Sequence, residues 1–185
     1  MKNALKDSRF PILIGFFLIG LDFFTKWIAN IALPVQQTIH TSISFWKWHL
    51  TYNRGYHYIF GEIGNFRLVQ SLGLIAVLIL IGLMVKNRAE LPKNDVNRHL
   101  FAGYIALLMG ATGNPWETVV LGRVTDFFVF TPLPWPSNLA DQYINIAIYV
   151  LLPIWLVISF RDWRRERQAK QADDSEYQTD SYKSP

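Results

Sequence analysis

The chain has 185 residues, 51% of them hydrophobic, 15% aromatic and only 17% charged, with a formal net charge of +4. Soluble domains carry about 25% charged residues, so this composition points to the membrane. It contains no cysteine, which excludes a disulfide framework, thiol catalysis and cysteine metal sites. His40, His49, His57 and His99 have no ligand spacing, so neither a metal nor a cofactor is expected.

Four apolar segments are predicted as transmembrane helices, at about 10–33, 68–85, 96–113 and 140–160. A bilayer core of about 30 Å needs roughly 20 helical residues. The first and fourth segments meet this easily, while the second and third are near the lower limit. The first begins with Lys2, Lys6 and Arg9 and resembles a leader. However, Asp22 and Lys26 interrupt its apolar run and no clean small-x-small cleavage site follows, so a retained helix is expected. Asp22 and Lys26 are four residues apart, on one helical face. They are read first as a structural ion pair, with Asp22 behind the reacting groups.

Lys86, Arg88, Lys93 and Arg98 separate segments two and three, and Arg161, Arg164, Arg165, Arg167 and Lys170 follow segment four. The positive-inside rule then puts both termini and the 86–98 loop in the cytoplasm. Loops 34–67 and 114–139 face outward together. Basic residues that flank spans in this way do not suggest a nucleic-acid partner.

In the first outward loop, residues 38–45 and 46–52 alternate like strands, with a change of phase between Phe45 and Trp46. A small aromatic-rich antiparallel sheet over about 35–62 is expected at the membrane surface. Asn53-Arg54-Gly55 by itself reads as a turn. The second outward loop contains Pro115, Pro132, Pro134 and Pro136. Segment three is therefore expected to stop near Gly113-Asn114, with an irregular chain beyond it. Residues 1–165 form one domain on this reading, and the polar stretch 166–185 is expected to be a disordered cytoplasmic tail.

Asp126 and Asp141 bracket the proline-rich excursion. Asp141 has a bland explanation as a first-turn carboxylate favoured by the helix dipole. Asp126 does not, because it lies in the apolar run Val124-Thr125-Asp126-Phe127-Phe128-Val129-Phe130, where a lone charge is costly. Two close carboxyls can share one proton, which makes the pair a candidate for acid/base chemistry.

The order and intervals of Asp22-x-x-Thr25-Lys26, Asn53-x-Gly55, Gly113-Asn114, Gly122-x-Val124-x-Asp126-Phe127 and Asn138-x-Ala140-Asp141 resemble the lipoprotein signal peptidase (signal peptidase II) family over about residues 10–165. The resemblance implies a mainly α integral membrane fold with four transmembrane helices, a small extracytoplasmic β-cradle and a short outward helix. It implies an aspartic endopeptidase with Asp126 and Asp141 as catalytic pair. It also implies that Asn53, Gly55, Asn114 and Asn138 line the site. The substrate would be a diacylglyceryl prolipoprotein, cleaved by a monomer in the bacterial inner membrane near its outer leaflet.

Departures cluster around the substrate. Glu117-Thr118 stands where the family usually has Asp-Arg, with Arg123 nearby as a possible substitute. Tyr56-His57-Tyr58 replaces small residues followed by phenylalanine, and Ser137 replaces phenylalanine before Asn138. A paralogue acting on a different membrane substrate, or a non-catalytic membrane module that binds a lipid or a helix, are the alternatives.

Overall fold

The computed structural model describes residues 2–57, 61–62, 64–93, 95–130 and 133–181. A short helix α1 (Lys2–Asp7) leads into α2 (Arg9–Ala32). The chain then forms β1 (Thr38–His40), β2 (Trp46–Asn53), β3 (Tyr56–His57) and β4 (Gly61–Glu62) before α3 (Phe66–Glu90) and α4 (Val96–Ala111). Helix α5 (Gly113–Leu121), strands β5 (Val124–Phe130) and β6 (Leu133–Ser137), and helix α6 (Leu139–Ile146) follow. A π-helical turn, Ala147–Leu151, joins α6 to α7 (Leu152–Ser181).

Among the described residues, three helical stretches are long and apolar enough to cross a membrane: Arg9–Ala32, Phe66–Glu90 and Leu139–Arg165. The 24 residues of α2 rise about 36 Å, more than a bilayer core of about 30 Å. The large hydrophobic side chains they leave exposed are Phe, Leu, Ile and Trp. Such side chains suit lipid and not water. Helix α4 has 16 residues, rises about 24 Å and packs between α2, α3 and α6. It buries Ile105, Ala106 and Gly110. This is a membrane helical fold with a small sheet at one end.

Helix ends follow local chemistry. Asn65 caps α3 by accepting from Leu68 N at 3.1 Å, and Asp95 caps α4 by accepting from Asn97 N at 2.8 Å. At the end away from the sheet, Asp7 receives Arg88 at 2.7 Å and also Arg98. Arg98 is 7% exposed and donates to the carbonyls of Arg88 and Leu91 at 3.0 and 2.7 Å. The two arginines counted above for orientation therefore also clamp α1, α3 and α4 together.

The main sheet is antiparallel, in the order β1-β2-β5-β6. Strand β2 pairs with β5 so that Trp48 opposes Phe128, Thr51 opposes Asp126 and Asn53 opposes Val124, with an irregularity between Trp48 and Thr51. Leu50, Phe127 and Phe128 form a buried cluster with Ala29 of α2, flanked by Trp46, Trp48 and Phe130. Strands β3 and β4 make a separate two-stranded ribbon.

The sequence expectation needs four corrections. The strand expected over 38–45 ends at His40, because Thr41 Oγ1 bonds the carbonyls of Ile43 and Trp46 and turns the chain. The sheet does not end with loop 35–62, since half of its strands come from the second outward loop. The stretch after Asn114 is not irregular: it is α5 followed by β5 and β6. Backbone expected to be disordered from 166 continues as helix to Ser181; residues 182–185 and Tyr58 lie outside the described residues.

Candidate active site

Asp126 is held in the middle of β5 and is 6% exposed. Asp141 stands in the first turn of α6, whose N-cap is Asn138. The two form a capping box: Asn138 Oδ1 accepts from Asp141 N at 3.2 Å, and Asp141 Oδ2 accepts from Asn138 N at 3.1 Å. Because its oxygen is committed to the cap, the Asn138 amide must present its nitrogen the other way. That nitrogen donates to Asp126 Oδ1 at 2.6 Å and to the Thr125 carbonyl at 3.3 Å. One fully buried asparagine therefore touches both carboxyls.

A second asparagine is oriented by the same logic. Lys26 Nζ donates to Asn114 Oδ1 at 2.6 Å. An ammonium only donates, so Asn114 Oδ1 must be the end facing it. Asn114 Nδ2 is then turned to Asp141 Oδ1, 2.7 Å away. Ser137 Oγ adds a third donor to Asp141, at 3.2 Å from Oδ2.

Lys26 is 3% exposed and also pairs with Asp22 Oδ2 at 2.8 Å and Glu117 Oε2 at 3.0 Å. Asp22 Oδ1 accepts from Ala140 N at 3.0 Å, which ties α2 to the start of α6. Glu117 accepts from Thr125 N at 3.1 Å and from Thr125 Oγ1, next to Asp126. The lysine thus acts on one carboxyl through Asn114 and on the strand bearing the other through Glu117. Gly113 permits this closeness, since a Cβ there would collide with Asp22 Oδ2.

Burial first, and then the Asp141 charge, hold the Asp126 carboxyl well above the ordinary carboxylate value of 3.8. Such a group keeps its proton at pH values where an exposed aspartate has lost it.

Asp22, Lys26, Asn114, Glu117, Asp126, Asn138 and Asp141 are brought into one connected cluster. Asn53 lies on the strand paired with β5, opposite Val124, and its Oδ1 accepts from Gly55 N at 3.0 Å. Gly55 is buried with φ of 134°, a conformation open to glycine and strained for other residues. Arg123 is not in the cluster; its guanidinium lies over the Tyr52 ring, 3.6 Å from the centroid. Glu117 turns to Lys26 and Thr125, so it is a counterion and strand anchor. Thr125 and Ser137 were not recognised as supporting residues in the sequence. Asn138-x-x-Asp141 has the spacing of a capping box, a signal available in advance, whereas no spacing marked Thr125 or Ser137. Among the described residues, no three His, Asp or Glu side chains are arranged to hold a metal ion.

A helical membrane bundle with a small sheet and two linked carboxyls at one end has the outline of a membrane enzyme. It resembles a solved bacterial membrane enzyme, determined by the in meso method at 2.3 Å resolution, with a TM-score of 0.67 and 21% identity over 82% of this chain and 90% of that one. A second such structure, at 1.9 Å resolution, gives a TM-score of 0.64 at 22% identity, over 79% of this chain and 91% of that one. These two likenesses concern the fold. The sequence model of "Signal peptidase (SPase) II" matches residues 14–157. A lipoprotein signal peptidase from a Cyanothece species is 38% identical over 71% of this chain and 75% of its own. Another, from Caldanaerobacter subterraneus, is 30% identical over 76% and 91%, and one from Francisella tularensis subsp. novicida is 28% identical over 81% and 93%. The chain belongs to the signal peptidase II family, a family of membrane proteases.

Proposed function

We propose that the protein is an aspartic endopeptidase that removes signal peptides from diacylglyceryl-modified prolipoproteins, with Asp126 and Asp141 as its catalytic pair. The observation that carries this is Asn138, whose backbone N–H donates to the Asp141 carboxyl at 3.1 Å while its side-chain amide donates to the Asp126 carboxyl at 2.6 Å. A purely structural helix cap has no need of a buried carboxyl on its far side.

In the proposed reaction, a water between the two carboxyls gives a proton to the ionised one and attacks the scissile carbonyl carbon. The protonated partner donates to the carbonyl oxygen as its charge develops. The tetrahedral intermediate collapses with cleavage of the C–N bond when the leaving nitrogen takes the proton that came from water, and a hydroxyl of the intermediate returns its proton to the partner carboxyl. The pair titrates as a unit. Asn114 and Asn138 keep the carboxyls oriented without themselves moving protons. The aromatic sheet, with Trp46, Trp48 and Tyr52, flanks the approach. Acyl chains on the substrate remain in the bilayer, so the substrate enters from the side. Both termini are cytoplasmic in this reading, and the site lies near the outer leaflet of the bacterial inner membrane.

The test is incubation of the purified protein with a diacylglyceryl prolipoprotein. Asp126→Asn and Asp141→Asn are each expected to lower kcat by about 10²–10⁴-fold or more. Undiminished cleavage by either folded variant would remove that residue from the pair. Slow cleavage of the lipidated substrate by the wild type, with efficient cleavage of another membrane peptide, would favour the paralogue reading that the Tyr56-His57-Tyr58 departure motivates.

A further inference from the structure

A groove of about 770 Å³ runs between α2 and α5; Lys26, Glu117 and Thr125 line it, and Asp126 and Asp141 do not. Phe16, Phe23 and Trp27 form its wall on α2, with Trp116 and Val120 on α5 and Arg123 beyond. These apolar side chains are well exposed: Phe16 by 61%, Trp27 by 59% and Val120 by 69%. Phe16 and Trp27 lie on a helix long and apolar enough to span a membrane, where such exposure faces lipid.

The groove has the length of one leaflet. From Phe16 to Trp27, α2 rises about 16 Å, half of a bilayer core of about 30 Å. Its outer end is fixed by Tyr52, whose hydroxyl donates to Asn30 Oδ1 in the last turns of α2 at 2.7 Å. Arg123 is stacked on that tyrosine, and its Nε is buried without a hydrogen-bond partner. Among the described residues Arg123 makes no salt bridge. Lys26 and Glu117 reach the groove from beneath but are paired with each other at 3.0 Å. The charge left to recognise a ligand is the guanidinium at the outer end. An apolar trough one leaflet deep that ends in a cation with no salt bridge among the described residues complements a lipid with an acyl chain and a phosphate.

We infer that this groove is a binding site for a membrane glycerophospholipid, with one acyl chain laid between α2 and α5 and its phosphate on Arg123. The inference does not depend on the protease reading. Because Lys26 and Glu117 are shared between the groove and the carboxyl cluster, a bound lipid braces the back of that cluster.

The experiment uses full-length protein, delipidated in detergent and titrated with dioleoyl phosphatidylglycerol or with dioleoylglycerol, which has the same chains and no phosphate. Binding is read by native mass spectrometry and by the rise in Tm. The phospholipid is expected to bind and raise Tm, and dioleoylglycerol to bind at least about tenfold more weakly. Arg123→Gln should weaken the phospholipid by about 10–100-fold and leave dioleoylglycerol unchanged. Val120→Trp, a change at an exposed position, should exclude both while its own Tm without lipid stays near that of the wild type. Equal binding of the two lipids to the wild type would overturn the inference, because the groove would then accept any acyl chain, including that of a lipidated substrate. Undiminished phospholipid binding by Val120→Trp would overturn it as well.

Discussion

Replacing Lys26 by methionine tests the centre of the buried cluster. The methionine keeps the length and apolar stem of the side chain and removes the ammonium. Asp22 and Glu117, 0% and 5% exposed, then lose the cation that lies 2.8 and 3.0 Å from them. Removing one partner of a buried pair costs about 3–5 kcal/mol. At about 2–4 °C per kcal/mol for a chain of this size, Tm should fall by roughly 6–20 °C. The assay is thermal unfolding in detergent followed by tryptophan fluorescence, for which the chain supplies seven reporters. The double variant Lys26→Met/Glu117→Gln removes one of the two stranded charges and should recover part of the loss. Asn114 also loses the donor that fixes its amide, so kcat should drop further than KM changes. A single variant whose Tm lies within about 2 °C of the wild type, less than about 1 kcal/mol, would refute the reasoning. The ammonium would then not be holding both carboxylates.

Three further outcomes are expected. Asn138→Ala removes a helix cap, worth about 0.5–2 kcal/mol, and the only amide donor of Asp126 among the described residues; kcat should fall by about 10²-fold in a steady-state cleavage assay, and an unchanged kcat would dismiss the orienting role. Gly113→Ala pushes a methyl into Asp22, and such overpacking should cost about 1–3 kcal/mol in thermal unfolding. The raised Asp126 carboxyl gives a signed pH dependence: the folded state holds this proton to higher pH than the unfolded chain does, so its contribution is most favourable below about 3.8 and declines as pH rises through the folded value. Measured as Tm against pH, the wild type should lose stability relative to Asp126→Asn on going from acid to neutral, and a parallel pair of curves would contradict the burial.

The spans were legible because contact with lipid is written into composition. Residues 10–33 and 68–85 differ from the observed α2 and α3 mainly at their ends. The carboxyl pair was legible because an aspartate among Val124, Phe127 and Phe128 has no cheap explanation. Strand pairing is non-local, and nothing within 124–137 announces that Thr51 will face Asp126. Helix α5 was missed for a different reason. Pro115 was taken as a breaker, but it sits in the first turn, where backbone N–H groups have no intrahelical acceptor and a proline removes nothing. The 166–181 stretch is rich in Arg, Glu, Gln, Lys and Ala, which extend a helix already nucleated by α7 at little cost. Glu117 was flagged as a departure near the substrate, and only the geometry reveals that it faces Lys26. The Lys26–Asn114 contact spans 88 positions, and no local pattern encodes which way an amide points.

The Asp7 clamp has a mechanical consequence for residues far from it. Two arginines closing on one carboxylate make that end of α4 a pivot. The opposite end of α4, about 24 Å away, leads directly into Asn114. A tilt of about 5° around the pivot sweeps that end sideways by roughly 2 Å, enough to open a hydrogen bond whose length normally spans about 2.7–3.2 Å. The Asn114–Asp141 bond of 2.7 Å is therefore the short arm of a long lever. Its fulcrum is three charged side chains at the far end of the bundle.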